Sequence, residues 1–211
     1  MRLCEIYKSL NGESSLQGIP TVLVRTWGCN LNCIYCDTKF AREGKPHIFS
    51  PDSILTKISS FGLKNVLITG GEPLLQEEMP GLLLKLKKRG FSISIETNGS
   101  LDISVTGKNT KRVIDIKCPD SGESDSFLEK NLEYLQARDD VKFVISSEND
   151  YSYAKNFIIT RLGCFRGELI LSPALPCLEP CTLAEWILRD NLAVRFQVQL
   201  HKILWGNERK R

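Results

Sequence analysis

Three cysteines stand close together in the segment WGCNLNCIYCDT: Cys29, Cys33 and Cys36, in a C-x3-C-x2-C arrangement. Soft thiolates this close in sequence can surround one small metal centre. A structural zinc site takes four ligands, and no further Cys or His follows closely, because His47 lies eleven residues beyond Cys36. Three thiolates on a four-iron cube leave one iron open to a substrate or cofactor. The spacing therefore favours an iron–sulfur centre, with a zinc site completed by a distant residue as the alternative.

The remaining composition excludes several classes of protein. Of 211 residues, 42% are hydrophobic and 25% charged, which is ordinary for a globular domain. The net charge of +3 is too small to argue for nucleic acid or a membrane surface as a partner. No apolar run reaches the roughly 18–20 residues of a membrane span, and the N-terminus lacks a secretion-signal pattern. We therefore expect a cytoplasmic protein that binds neither nucleic acid nor membrane.

Eight cysteines are many for a reducing compartment, where disulfides are rare. Outside the three-cysteine segment, Cys177 and Cys181 have a C-x3-C spacing that suggests a second cluster, but two thiols are too few to hold one. We expect small core or loop thiols at the five other positions, which are Cys4, Cys118, Cys164, Cys177 and Cys181.

Short runs rich in valine and isoleucine recur along the chain and predict β-strands. Several are almost continuously apolar, as strands of a parallel sheet are when helices cover them. The predicted strands are residues 21–26, 65–70, 92–97, 112–117, 141–146, 168–173 and 195–200.

Helical patterns separate most of these strands. Ser50 is the predicted N-cap of the first helix and Pro51 its first residue, and Gly90 follows the end of the second. The predicted helices cover residues 51–60, 78–89, 126–137, 151–162 and 183–190. Between residues 97 and 112 the interval is short and glycine-rich, so we expect a trimmed crossover there.

Alternation of strands and helices predicts βαβ units and a parallel sheet. Six or seven units suggest a small barrel, and a full eight-unit barrel usually needs about 250 residues. We therefore predict the α/β class, as a truncated, incomplete parallel barrel of the (β/α)6 type in a single domain over residues 1–211. The basic run 206–211 is expected to be a solvated terminus.

Ligands of parallel α/β folds bind beyond the carboxyl ends of the strands, and polar motifs follow several predicted strands. In TGGEP (69–73), two glycines allow the backbone to approach a ligand, and the Glu72 carboxylate suits a bound ammonium. Alone this would be a common turn, but it ends the next strand after the cysteine segment. ETNG (96–99), DIKCP (115–119) and LSPAL (171–175) come at later strand ends, where a barrel would direct them into one pocket.

The cysteine spacing and the GGE-type turn resemble the radical S-adenosylmethionine superfamily. Within it, CEIYKSLNGESSLQGIPTVLVRTWGCNLNCIYCDT is similar, almost position by position, to the 7-carboxy-7-deazaguanine synthase family of queuosine and other deazapurine biosynthesis. The later TGGEP, ETNG, DIKCP, SPA and Q-x-HK segments follow the order of that family. The resemblance therefore covers nearly the whole chain.

This resemblance implies a lyase that uses a [4Fe–4S] cluster, S-adenosylmethionine and Mg2+. A deoxyadenosyl radical would abstract a hydrogen beside the carboxylate of 6-carboxy-5,6,7,8-tetrahydropterin. The ring would contract to 7-carboxy-7-deazaguanine, and ammonia would leave. Partners would be the small pterin and an electron donor such as flavodoxin or ferredoxin. We also expect a homodimer, because a truncated barrel leaves edges that a second copy could cover.

Site residues follow from the same resemblance. The cluster ligands would be Cys29, Cys33 and Cys36, and Thr38 would coordinate Mg2+, for which a hydroxyl is a suitable hard ligand. Substrate contacts would be Leu10, Asn11, Gly12, Arg25 and Thr69; a guanidinium such as that of Arg25 binds carboxylates well. Contacts to S-adenosylmethionine would be Tyr35, Gly71, Asp115, Ile116, Lys117, Ser172, Pro173, Ala174 and Leu175.

The chain departs from the family at one motif. The family's Gln-Gly-Glu-Gly reads Asn11-Gly12-Glu13-Ser14 here. Asparagine is one methylene shorter than glutamine, and serine lacks the backbone freedom of glycine. We therefore expect details of pterin recognition to differ while the radical chemistry is retained.

Two other functions remain open on the sequence. A radical activase would use the same cluster to generate a glycyl radical on a partner protein, and would need a docking surface but no Mg2+. A non-enzymatic zinc or iron–sulfur module would also hold the three cysteines. It would leave the motifs at successive strand ends without a role.

Overall fold

In the computed structural model, which describes residues 1–206 and 208, nine strands form one sheet in the order β3-β1-β2-β4-β5-β6-β7-β8-β9. Strands β2 and β4 to β9 run parallel, while β1 is antiparallel to both β2 and β3. Their bounds are β1 Arg2–Leu10, β2 Pro20–Thr26, β3 His47–Ile48, β4 Asn65–Gly70, β5 Ser92–Thr97, β6 Lys111–Ile116, β7 Asp140–Ile145, β8 Glu168–Pro173 and β9 Arg195–Phe196.

Among the described residues, β3 and β9 are the two edges of this sheet and do not pair with each other. The barrel is therefore open, which confirms the predicted incomplete α/β barrel. The parallel strands β2 and β4 to β8 come close to their predicted bounds because continuous Val/Ile runs suit a sheet covered by helices.

Four helices follow strands of the sheet, and a short fifth ends the described region. Ser50 caps the first by accepting a hydrogen bond from the Ser53 amide (3.1 Å), and Pro51 is its first residue, as predicted. Gly90 takes φ +74° just after the second. The bounds are α1 Pro51–Ser59, α2 Met79–Lys88, α3 Glu148–Arg161, α4 Pro180–Arg189 and α5 Leu200–Trp205.

The predicted helix over residues 126–137 is wrong. This segment holds the end of a 3-10 helix at Ser124–Ser126 and a second 3-10 helix at Glu129–Tyr134, but no α-helix. Asn131 is fully buried, and its side chain hydrogen-bonds the carbonyls of Gly99 and Leu101 and the amide of Ile103. Those bonds tie the segment to the crossover after β5, where only a 3-10 helix, Ile103–Thr106, forms. The predicted trimmed crossover is confirmed.

The predicted strand over residues 195–200 is also wrong beyond its second residue. Strand β9 covers only Arg195–Phe196, and α5 begins at Leu200. The side chains of Gln197 and Gln199 bond to the N-terminal loop (residues 11–18). The Leu200 amide donates to the Gly12 carbonyl at 3.0 Å. These tertiary bonds turn the chain away from further pairing with strand β8.

Two apolar clusters join the helices to the sheet. Helices α1 and α2 pack on β1, β2, β4 and β5, while α3 and α4 pack on β6, β7 and β8. Alternate residues of the parallel strands face the other way, into the barrel, because successive side chains of a strand point to opposite faces. No helix in the described part of the chain is long and apolar enough to cross a membrane. Most of the basic run 206–211 lies outside the described residues.

Candidate active site

The carboxyl ends of the parallel strands surround a cavity of about 480 Å³. The cysteine loop (residues 27–38), the N-terminal loop and the start of α5 complete its wall. Nearly all of the predicted site residues line it together: Leu10, Asn11, Gly12, Arg25, Cys29, Cys33, Tyr35, Cys36, Thr38, Thr69, Gly71, Asp115, Lys117, Ala174 and Leu175.

Three predicted residues do not line the cavity: Ile116, Ser172 and Pro173. Ile116 alternates with the inward-facing Asp115 and Lys117, so its side chain packs in the core beneath the helices. Ser172 and Pro173 are buried within β8, opposite Val144 and Ile145 of β7. A role of these side chains in the cavity is not supported.

The thiols of Cys29, Cys33 and Cys36 line the cavity from one loop, which turns where the Cys36 amide donates to the Cys33 carbonyl (3.3 Å). No three Cys, His, Asp or Glu side chains of the described residues are arranged to hold a single metal ion. An iron–sulfur cube is larger than one ion and separates its thiolates further. The donor set of three free thiols therefore fits such a cluster.

Burial disfavours the thiolate form of Cys29 and Cys33. It raises the pKa of Cys33 to about 11 and also raises that of Cys29, while the ammonium of Lys117 opposes both shifts. Cluster ligands must be thiolates, so loading of a cluster at these cysteines would release protons. The Asn98 amide lies 3.9 Å from the Cys29 sulfur and 3.2 Å from the Asn30 side-chain oxygen, so the end of β5 contacts the cysteine loop directly.

The glycine turn after β4 packs against the cysteine loop with no space for a side chain. A Cβ on Gly71 would lie 2.1 Å from the Gly28 carbonyl oxygen and 2.8 Å from the Cys29 Cβ. The Glu72 amide donates to the same Gly28 carbonyl at 2.8 Å. Only glycine at position 71 permits this approach, which brings the end of strand β4 against the cysteine loop.

The Glu72 carboxylate does not face the cavity, contrary to expectation. It is fully buried and accepts hydrogen bonds from the Leu74 amide, the Thr97 hydroxyl and the Asn98 amide, at 2.8–2.9 Å. Burial raises its pKa although these donors oppose the shift. Glu72 therefore joins the ends of β4 and β5, and any ammonium at this turn would meet backbone instead.

The N-terminal loop is held inside the open barrel by the segment before α5. The Gln197 side chain accepts from the Ser14 amide (2.7 Å) and donates to the Ser14 carbonyl (2.8 Å). Ser14 takes φ +71°, a left-handed backbone that glycine adopts more readily than serine, at the position where the resemblance predicts a glycine. Asn11 uses its side-chain oxygen to accept from the Glu13 amide at 3.2 Å, which shapes the loop itself.

Arg25 projects into the cavity from β2. Its Nε donates to a carboxylate oxygen of Glu5 at 2.9 Å, and its guanidinium lies 5.6 Å from the Phe40 ring centre. Burial tends to lower the pKa of Arg25, but Tyr7 and Glu5 outweigh burial and raise it. Arg25 is therefore a fixed cation at the cavity wall.

Thr38 follows the last cysteine and donates its hydroxyl proton to Asp37 at 2.8 Å. The other Asp37 oxygen lies 3.3 Å from both Gln199 Nε2 and Lys202 Nζ, which come from the C-terminal part of the chain. Two neighbouring hard oxygens at the cavity wall suit Mg2+.

The cavity also contains a charged cluster that the sequence did not predict. The ammonium of Lys142 in β7 lies 2.5 Å from Glu13, 2.6 Å from Glu96 and 3.3 Å from Asp115. Burial alone would lower the pKa of Lys142, but its three carboxylate neighbours raise it well above the ordinary value. One signal was present: Lys142 is a lone charge in the apolar run VKFVIS, and such a charge must find partners.

The other cysteines are scattered. Cys118 is buried in the core beneath α3, Cys4 donates to the Thr26 carbonyl (3.4 Å), and Cys164, Cys177 and Cys181 are exposed free thiols.

Comparison with known proteins agrees with this geometry. Residues 23–115 match the Radical SAM superfamily. A 7-carboxy-7-deazaguanine synthase of Koribacter versatilis is 38% identical over 100% of this chain and 99% of its own length. The enzyme of the same name from Chlorobaculum tepidum is 38% identical, over 98% of this chain and 94% of its own.

Solved structures agree on the fold. QueE from Escherichia coli superposes with a TM-score of 0.78, at 24% identity, over 94% of this chain and 93% of its own. Streptococcus suis SuiB, bound to its precursor peptide SuiA, gives a TM-score of 0.60 at 15% identity, over 86% of this chain and 49% of its own. At these identities the likeness concerns the fold alone. From its full-length relatives, the chain belongs to the 7-carboxy-7-deazaguanine synthase family of radical SAM enzymes.

Proposed function

We propose that this enzyme converts 6-carboxy-5,6,7,8-tetrahydropterin to 7-carboxy-7-deazaguanine with release of ammonia, and that it requires Mg2+. The observation that carries the proposal is one shared cavity: the three cysteines, Arg25, Thr69 and the N-terminal loop all line it. A volume of about 480 Å³ is that of a small-molecule site. A cavity inside the barrel also suits a bound pterin better than the docking surface that a radical activase needs.

Each wall of the cavity would have its own task. Cys29, Cys33 and Cys36 would hold the cluster, which supplies the electron that cleaves S-adenosylmethionine. The glycine turn, Tyr35 and the Asp115–Lys117 pair would position S-adenosylmethionine. The hydroxyl of Tyr35 donates to the Val144 carbonyl at 3.1 Å, which fixes this ring between the cysteine loop and β7. The surrounding loops would exclude water from the reactive centre.

Arg25 would bind the carboxylate of the pterin. A guanidinium presents paired donors that match a carboxylate, and Glu5 already fixes its orientation through Nε. Binding the carboxylate here would set the neighbouring C–H bond at a defined place in the cavity. The Thr69 hydroxyl and the loop residues Leu10, Asn11 and Gly12 would contact the rest of the ring system.

Thr38 would coordinate Mg2+, with substrate and water supplying further oxygens.

We also propose that the chain is a single domain, that it works in the cytoplasm as a homodimer, and that a flavodoxin or ferredoxin reduces it. Analytical ultracentrifugation of the purified protein tests the homodimer directly, because a monomer at micromolar concentration would contradict it.

An anaerobic turnover assay tests the reaction. Reduced, cluster-reconstituted protein is incubated with S-adenosylmethionine, Mg2+ and the carboxylated tetrahydropterin, and products are identified by mass. We expect the deazaguanine acid and one ammonia per turnover. If S-adenosylmethionine is cleaved but no deazaguanine forms, a different substrate or the activase role replaces this proposal.

Metal analysis separates the enzyme from a simple binding module. We expect iron and sulfide in near-equal amounts in protein purified without oxygen, in the ratio of a four-iron cluster. Zinc without sulfide would contradict the radical chemistry. Replacement of Cys33 by alanine should remove the cluster absorbance and all cleavage of S-adenosylmethionine, while Cys164→Ala, at an exposed thiol, should change neither.

A further inference from the structure

Lys142 occupies an unusual position for a lysine. It lies in the middle of β7, and its side chain is 3% exposed. Its Nζ contacts the Glu13 carboxylate at 2.5 Å and the Glu96 carboxylate at 2.6 Å. Asp115 is more distant, at 3.3 Å. The three carboxylates come from the N-terminal loop, β5 and β6, so one ammonium joins three separate segments of the cavity wall.

The hydrogen bonds continue beyond Lys142 on both sides. The second oxygen of Glu96 accepts from the Thr69 hydroxyl at 3.1 Å. The second oxygen of Glu13 accepts from Gln199 Nε2 at 2.6 Å, and this amide also reaches Asp37 at 3.3 Å. Lys142 therefore stands at the middle of a polar path from Thr69 to the Asp37–Thr38 pair.

The N-terminal loop is positioned by directed polar contacts. Among residues 11–18 the only charged side chain is Glu13, and a polar loop lacks the apolar burial that holds helices on a sheet. Two bonds join the loop to β7: the Ser15 amide donates to Asp140 at 2.9 Å, at the start of the strand, and Lys142 binds Glu13. Of these two, the Lys142 bond lies at the cavity, beside the residues that face the substrate space.

We propose that Lys142 is a positioning residue for the substrate: it holds the N-terminal loop, through Glu13, at a fixed distance from the Glu96–Thr69 side of the cavity. Lys142 does not react. It sets the separation between the two walls that receive the pterin, and a misplacement of about 1 Å at such a site can reduce turnover about a hundredfold. The inference rests on the proposed function for the identity of the substrate.

Two substitutions test this role from opposite ends of the contact. Lys142→Met removes the ammonium, but it leaves three neighbouring carboxylates without the cation that they share and can impair folding. Glu13→Gln removes only the charge of the loop and keeps Lys142 paired with Glu96. For both folded variants we expect an increase of about tenfold or more in KM for the pterin. In Glu13→Gln, which does not touch Asp115, cleavage of S-adenosylmethionine in the absence of pterin should stay within about twofold of wild type.

A control and a double variant sharpen the test. Lys155→Met removes another lysine–aspartate pair, to Asp190 at 2.8 Å on the outer helices, and should leave KM unchanged. Because Lys142 acts through Glu13, the double variant should be no worse in KM than the worse single variant. Lys142→Arg, which keeps the charge, should recover part of the lost affinity.

Hydrogen exchange of the loop amides reports the same contact without substrate. Exchange over residues 11–18 should become faster in Lys142→Met and Glu13→Gln but not in Lys155→Met. Unchanged KM and unchanged exchange in a folded Glu13→Gln protein would overturn the proposal. Variants that lose stability but keep the wild-type KM and loop exchange would overturn it as well. If wild-type enzyme forms no deazaguanine product, the proposed function fails instead, and hydrogen exchange alone then decides whether Lys142 holds the loop.

Discussion

The Lys142 ammonium and the Glu13 carboxylate lie 2.5 Å apart, although 129 residues separate them in the chain. This bond joins the middle of the parallel sheet to the loop between β1 and β2. One wall of the cavity is thus held by a polar contact, while the sheet around it is held by apolar packing. The two kinds of interaction respond differently to substitution.

Thr38→Ala should weaken the response to Mg2+ and leave the cluster intact. The substitution removes one hard oxygen beside Asp37, so we expect the Mg2+ concentration for half-maximal turnover to rise about tenfold. Turnover measured against Mg2+, together with the cluster's absorbance spectrum, checks this. Thr160→Ala removes a hydroxyl that bonds within α3 and should leave the Mg2+ response as it is; a parallel shift in both variants would argue against a Mg2+ site at Thr38.

Gly71→Ala should impair cluster loading. The added Cβ would meet the Gly28 carbonyl oxygen at 2.1 Å, and backbone cannot move aside as a flexible side chain does. We expect iron and sulfide content, and cleavage of S-adenosylmethionine, to fall about tenfold or more, since a small displacement of reacting groups is costly.

Gly81 is the matched control, because a Cβ added to it in helix α2 would have no neighbour within 4 Å. Gly81→Ala should therefore raise the free energy of unfolding by up to about 1 kcal/mol and keep full cluster content. Normal iron content in Gly71→Ala would show that the turn can move.

Glu72→Gln should destabilise the protein even though the two side chains have the same shape. The carboxylate accepts from three donors, and an amide NH2 at one end would oppose at least one of them. We expect the free energy of unfolding to fall by about 2–3 kcal/mol. Chemical denaturation measures the loss. Glu77→Gln, at an exposed neighbouring position, should change stability by less than about 0.5 kcal/mol.

At Ser14, glycine should be tolerated better than alanine, which reverses the usual order. Ser14 takes φ +71° and its hydroxyl accepts from the Leu16 amide at 3.1 Å. Alanine loses this bond and keeps the backbone strain, whereas glycine loses the bond and relieves the strain. We expect Ser14→Ala to be less stable than Ser14→Gly by about 1 kcal/mol. Equal denaturation midpoints for the two variants would contradict this expectation.

Much of the barrel could be predicted because each strand has a sequence pattern that can be recognised locally. Runs of valine and isoleucine need only their neighbours in sequence to be recognised, and Ser50 and Pro51 indicate the start of helix α1. The two failures, at residues 126–137 and 195–200, share a cause. In each, a buried amide side chain, Asn131 or Gln197, bonds to backbone far away in the chain. These distant bonds override the local helix or strand propensity, and a prediction from local sequence does not include them.

The site residues also divide into those that the sequence predicts and those that it does not. Residues that follow strands, such as Cys29 and Gly71, could be predicted to share a cavity because parallel strands end at one edge. Glu13 and Lys142 could not be paired, since neither spacing nor periodicity relates a loop residue to a strand so distant. The direction of Glu72 could not be predicted either, because a turn motif does not state which way its carboxylate points.

The bonds between Gln197 and Ser14 span 183 residues, and that between Gln199 and Glu13 spans 186. Contacts of such long range form late, since the entropy of closing the intervening chain must be overcome first. During synthesis the strands of the barrel can pair as they emerge, N-terminal ones first. The N-terminal loop precedes the parallel strands in the chain, but it lacks its glutamine partners until residues 197 and 199 have been made. The wall that this loop adds to the cavity is therefore completed only after the parallel strands that surround the cavity have been made.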